Sequence, residues 1–205
     1  MRAAGLTAGI LLICTACATQ FDPTDAARVH TIALAGFAEP HYDALIQFGT
    51  KDSSLEPDFS DLLAKQNFHL GAELKTAVSS ELQNTGYEVI DDSKAADAVL
   101  EVSITGFPPA SNPAYSAALG DFEPEFVARA KLKDVKTGKT LFSRTYVYRD
   151  NSIEPIDGSL LIRPDPKYGF STSKALFANP QLAAEGFRAA EPLIARSIAT
   201  SLKKP

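Results

Sequence analysis

The stretch FVARAKLKDVKTGKTLFSRTYVY, Phe126 to Tyr148, decides the fold. Phe126, Ala128, Ala130 and Leu132 alternate with Val127, Arg129, Lys131 and Lys133, a period of two that turns apolar and mostly basic side chains to opposite faces of a strand. Thr140 to Tyr148 alternates again. Between the two runs, Asp134-Val135-Lys136-Thr137-Gly138-Lys139 puts a glycine where a hairpin loop needs a positive φ. The spacing predicts an antiparallel pair around which the other segments must be arranged.

Working outward, Ala98 to Phe107 reads as a half-buried strand, with Leu100, Val102 and Ile104 on one side and Glu101, Ser103 and Thr105 on the other. Val29 to Gly36 is predicted as the first strand, with Ile32 and Leu34 sharing a face. From Phe59 to Asn84 the period becomes helical: Leu70, Leu74, Ala77, Val78 and Leu82 line one side. Gly86 supplies the left-handed stop, and Tyr87 to Ile90 reads as a short strand. A second helix is expected over Pro180 to Lys203, where Leu182, Gly186, Ala190, Leu193, Ile194, Ile198 and Leu202 form a stripe. Asn179 is its candidate N-cap, and Pro192 predicts a kink or break. Phe37 to Ser60 shows no sustained period beyond a short helix expected near Tyr42 to Phe48. The proline-rich stretches Pro108 to Pro124 and Asp150 to Pro180 read as long irregular loops. The sum is an α/β fold of the α+β type: one two-layer domain, a mainly antiparallel sheet of about four or five strands, and two main helices covering it.

The N-terminus carries a different signal. MRAAGLTAGILLICTAC opens on Arg2, continues with an apolar run from Ala3 to Ile13 too short to span a bilayer, and sets small residues Thr15 and Ala16 before Cys17. This resembles a bacterial lipoprotein signal, with Cys14 where that family prefers leucine. The resemblance implies that residues 1–16 are removed, that Cys17 is acylated and becomes the N-terminus, and that 17–28 form a lipidated linker ahead of a domain over 29–205. The expected location is the cell envelope, facing the periplasm. Ala18 in place of an aspartate favours the outer membrane.

Composition fits that placement. Cys14 lies in the leader and Cys17 at the acylation position, so the domain must hold together without disulfides. Twenty-five acids against 20 Lys and Arg give a formal charge of −5, and no basic cluster answers a phosphate backbone, which argues against nucleic acid as a partner.

The order strand, helix, Gly86-Tyr87 strand, Ala96-Asp97-Ala98-Val99-Leu100 strand and Asp134-to-Phe142 hairpin resembles the small envelope lipoprotein domains of the TolB N-terminal or curli-secretion type. It covers roughly Val29 to Asp150. The resemblance implies an accessory or assembly protein rather than an enzyme, working with an envelope protein complex or cell-wall component.

Chemistry is sparse. Ser171-Thr172-Ser173-Lys174 and Lys136-Thr137-Gly138 match two signatures of penicillin-recognising serine enzymes, but in the reverse order. Gly138-Lys139-Thr140 imitates the tail of a phosphate loop, yet Lys133 stands where the first glycine is required. His30, His41 and His69 are too scattered for a metal motif, though nearby acids such as Asp43 could join them. Glu56, Asp58 and Asp61 read as a solvated loop, so no catalytic residue, metal or cofactor is expected. Five aromatic residues in proline-rich loops, Tyr42, Phe48, Tyr115, Tyr168 and Phe170, are candidate anchors for a partner, or else plugs at the ends of the sheet. Two other classes stay open: an envelope hydrolase, which needs a deep pocket with convergent titratable groups, and a carrier of apolar ligands, which needs an enclosed cavity.

Overall fold

The structure, a computed structural model, describes residues 18–46, 58–107, 109–117, 121–150 and 158–204. The hairpin of the opening stretch is its centre. β6 (Phe122–Asp134) and β7 (Thr140–Tyr148) pair antiparallel with Phe126 opposite Tyr148 and Leu132 opposite Phe142. Gly138 takes φ +69° in the turn, and Asp134 accepts hydrogen bonds from the Thr137 amide (2.7 Å) and hydroxyl (2.8 Å). An aspartate and a glycine therefore close the loop by side-chain and backbone geometry respectively.

Around this pair grows a curled sheet of eight strands, more than the four or five expected. β4 (Ala98–Thr105) lies antiparallel to the last eight residues of β6, and β1 (Thr31–Gly36) lies parallel to β4. β3 (Glu88–Ile90) forms one edge, parallel to β1. The first four residues of β6 pair with β5 (Ala114–Ala117), which carries β2 (Asp43–Ile46) parallel beside it. β8 (Leu160–Ile162) lies parallel to β7 as the opposite edge. Four of the seven pairings are parallel, so the sheet is mixed rather than mainly antiparallel. β2 replaces the short helix expected after Tyr42. The two loops read as irregular hold β5, β8, a 3₁₀ turn at Pro166–Tyr168 and a helix.

The helices cover one face. The long helical run divides at Asn67, whose φ of +50° ends α2 (Phe59–Ala64) before α3 (Leu70–Asn84) begins. α4 spans Ser173–Ala178. Pro192 breaks the C-terminal run into α5 (Pro180–Arg188) and α6 (Glu191–Ser201), as its ring demands. Asn179 occupies the expected N-cap position, but its side chain donates to the Ala175 carbonyl instead of capping α5. Leu74, Val78 and Leu82 of α3 and Ile194, Ile198 and Leu202 at α6 are fully buried against Leu100, Ala128, Ala130, Leu132 and Tyr146 of the sheet. Leu193, counted in the sequence stripe, is 42% exposed.

Residues 18–28, within the segment expected as a linker, pack on this body. α1 (Pro23–Arg28) is capped by Asp22, whose side chain accepts from the Thr24 amide at 2.8 Å. Arg28 forms an ion pair with the buried Asp134 at the hairpin turn. Asp97 accepts from the His30 (2.8 Å) and Thr31 (3.0 Å) amides, clipping the start of β1 to β4.

Candidate functional site

Cys17, the expected acylation site, and Phe48 lie outside the described residues. The residues after Cys17 are held on the sheet. Thr19 bridges Ser143 of β7 in antiparallel register, with the Thr19 amide donating to the Ser143 carbonyl (2.9 Å) and the Ser143 amide to the Thr19 carbonyl (3.1 Å). Ser143 already pairs with Lys131 of β6, so Thr19 occupies the edge of β7 that β8 also takes further along. Ala18 lies beside Gly158, where a Cβ would touch it at 3.6 Å. Phe21 packs on the core, and a cleft of about 300 Å³ between this segment, Arg144 and Ser201 marks where the N-terminal chain meets the end of α6.

The other four aromatic candidates do not stand out from the surface. Tyr42 is 3% exposed, Tyr115 0% and Phe170 6%, and Tyr168 is half-buried. Tyr115 meets Phe59, Phe170 and Phe187 edge-on at centroid distances of 5.8, 5.5 and 5.3 Å, while Tyr42 packs on Phe68 and Phe187. These rings fill the end of the sheet under α5. A ring enclosed on all sides has no face left for a partner, so burial corrects the anchor reading for Tyr42, Tyr115 and Phe170.

Four buried tyrosine hydroxyls stitch the sheet side of the core to the C-terminal helices. Tyr115 donates to the Ala183 carbonyl (3.1 Å), Tyr148 to the Gly186 carbonyl (3.2 Å), Tyr146 to the Ser201 hydroxyl (3.1 Å) and Tyr87 to the Leu202 carbonyl. Burial pushes all four hydroxyls above the usual tyrosine range, with Tyr87 and Tyr146 reaching about 12.

Two carboxyl groups, neither singled out by sequence reasoning, are buried as well. Glu191 at the start of α6 is 8% exposed, and burial raises it to about 8, with Glu73 and Glu39 adding repulsion and Arg188 opposing. Its Oε1 has no hydrogen-bond partner among the described residues. Around it, Glu39 accepts from the Tyr42 hydroxyl (2.7 Å) and the Gly71 amide (2.9 Å), and Glu73 pairs with Arg188 (2.8 Å). On the face of the sheet away from the helices, burial raises Glu125 to about 7 against the opposing charge of Arg149, whose guanidinium lies 4.1 Å from the Phe107 ring centroid. No sequence motif marks either glutamate, because only the third dimension buries them.

The rejected motifs separate in space. Lys136-Thr137-Gly138 is the turn at the C-terminal end of β6, whereas Ser171 follows Phe170, which bridges Phe122 at the other end. Thirteen residues of strand at ~3.3 Å each put roughly 40 Å between them. His30, His41 and His69 are all exposed; Asp58 caps α2 and lies 3.9 Å from His41. Among the described residues no three His, Cys, Asp or Glu side chains gather to hold a metal, and no helix is long and apolar enough to cross a membrane.

No protein-family model matches the chain and no curated sequence matches it. Solved structures similar in backbone include the PelC dodecamer from Paraburkholderia phytofirmans (12% identity, 86% of this chain and 88% of that one, TM-score 0.39). Protein XCC0632 from Xanthomonas campestris is similar at 13% identity over 83% of this chain and 81% of that one, TM-score 0.44. Lipoprotein GNA1162 from Neisseria meningitidis is similar at 16% identity over 63% of this chain and 88% of that one, TM-score 0.35. Likeness at this level assigns no function to this chain.

Proposed function

We propose that this chain is a lipid-anchored envelope protein: Cys17 carries the acyl chains, and the α/β domain serves on the periplasmic side of the outer membrane as a non-catalytic accessory or scaffold for an envelope or cell-wall assembly. The observation that carries the reading is the leader itself, Arg2 followed by Ala3 to Ile13 and a small-residue approach to Cys17. Two or three acyl chains, at about 0.8 kcal/mol per buried methylene, hold a protein at a bilayer stably where one does not. The domain supports a binding role in that four buried tyrosines tie helices to sheet, and the partly exposed Arg28, Arg188 and Lys133 are each paired with a carboxylate. The groove between α3 and β3, about 460 Å³, is lined by Lys75, Ser79, Gln83 and Asp91 as well as by Leu34 and Val89, which suits a polar surface better than an enclosed apolar ligand.

The test is the Cys17→Ser chain expressed in a Gram-negative host beside the wild type. The expected outcome is that wild-type protein sediments with membranes and shows an acylated N-terminal cysteine by intact mass, while the Cys17→Ser variant stays unprocessed and unacylated. A wild-type chain that keeps residues 1–16, or that is cut without gaining acyl mass, overturns the reading. Capture of the acylated protein from crosslinked envelopes then tests the accessory role, and no reproducible partner counts against it.

A further inference from the structure

Resting on the acyl-anchor reading of Cys17, we infer that the β7–β8 edge of the sheet is the surface that faces the bilayer, and that Leu160, Leu161, Ile162 and Arg163 lie in its headgroup region. The length of chain between anchor and fold sets the constraint. Thr19 is already hydrogen-bonded to Ser143, so only two residue steps, at most about 7 Å, separate the Cys17 backbone from the sheet. A tether that short cannot let the domain tumble above the membrane; the edge that holds Thr19 must lie against it.

That edge has the chemistry for the place. β8 begins three residues further along the same side of β7, about 10 Å away, and Gly158 just before it lies against Ala18. Its residues are apolar, Leu160-Leu161-Ile162, and all three are partly exposed. Leu160 and Ile162 lean on the core, while Leu161, opposite Val147, takes the other face. Exposed Arg163 follows, and Arg144 lies in the cleft beside Ala18. Asp22 is engaged in capping α1, and exposed Asp165, two residues past Arg163, is paired with Lys167 at 3.2 Å. The outer side of β8 pairs with no strand among the described residues. An apolar terminal strand in water invites pairing with another chain. Unpaired backbone groups also cannot enter hydrocarbon, so the headgroup layer is the depth that satisfies both the side chains and the strand edge. The opposite edge, β3, lies five strand spacings away, roughly 24 Å, and carries exposed Glu88.

The sequence itself makes the test clean: it has no tryptophan, and after processing its one thiol is Cys17. Leu161→Trp, Arg163→Trp and Glu88→Trp chains beginning at Cys17 are coupled through that thiol to maleimide lipid in phosphatidylethanolamine–phosphatidylglycerol vesicles containing headgroup-proximal nitroxide lipids. The expected result is a blue shift and at least about twofold greater quenching at positions 161 and 163 than at 88, matching burial at the headgroup boundary. Arg163 is exposed, so that variant reports even where Leu161→Trp perturbs folding. A ten-residue Gly/Ser insertion between Cys17 and Ala18, spanning about 17 Å, should abolish the difference while the protein stays on the vesicles. Equal quenching at all three positions, stronger quenching at 88, or a crosslinked dimer joined through β8 with no quenching overturns the inference. Because coupling is chemical, these outcomes are independent of acylation in the host; intact mass of the host-made protein tests the anchor separately.

Discussion

Glu191 concentrates the cost of burying charge in this molecule. Burial, helped by Glu73 and Glu39 and opposed by Arg188, raises it from 4.5 to about 8, and burial raises Glu125 to about 7. The folded state therefore holds these protons more tightly than the unfolded chain. The resulting stability is complete below about pH 4.5 and is lost as pH rises through 7 and 8. The expected outcome is a Tm that falls between about pH 5 and 8 and levels off above, with Glu191→Gln flattening the part between pH 7 and 8, measured by thermal scans across pH at constant ionic strength. Gly71 gives a second prediction at this scale: a Cβ there would collide with the Phe37 carbonyl oxygen, while its amide donates to Glu39 at 2.9 Å. Gly71→Ala should cost about 1–3 kcal/mol in urea unfolding, the usual penalty of forcing atoms into a packed site. Gly86 and Gly138 are legible in the sequence because a turn demands their positive φ of +88° and +69°. Gly71 is not, since its reason is a neighbour far earlier in the chain.

Among the elements, legibility follows length or a flanking turn signal, as where Gly86 announces the three-residue β3. The nine-residue β7 and fifteen-residue α3 carry enough repeats of their period to be read directly, and both form where expected. β2, β5 and β8, of four, four and three residues, show no period at all; their hydrogen-bonded neighbours make them strands. For that reason the sequence around β2 reads as helix, and the loops holding β5 and β8 read as irregular. The aromatic loop residues mislead in the same way. Tyr115 belongs to β5 and reaches the Ala183 carbonyl, a contact that depends on α5 crossing the sheet. The tyrosine stitches are testable one by one. Tyr148→Phe removes the donor to the Gly186 carbonyl and should destabilise by about 0.5–1.5 kcal/mol with no change in far-ultraviolet circular dichroism. Leu74→Ala, emptying a fully buried position where α3 meets the core, should cost about 2–5 kcal/mol in the same assay.

For the molecule as a whole, the arrangement draws its interior from the entire chain. Ala26 and Val29 near one end and Leu202 near the other are buried in the same body, and Tyr87 donates to the Leu202 carbonyl across more than half the sequence. Removing residues 199–205 should therefore abolish the cooperative unfolding transition and leave the body open to limited proteolysis, whereas removing 204–205 should be nearly silent. The class of fold and the covering helices are readable in advance; the strand count and the mixture of directions are not, because they depend on which short segments find β6 and β7. β6 also has to serve β4 and β5 along different parts of its length while β7 holds Thr19 and β8. A chain wired this way cannot close in pieces while its tail is still being synthesised. It must wait as an open polymer and become a solid object only after the last turn of α6 has arrived.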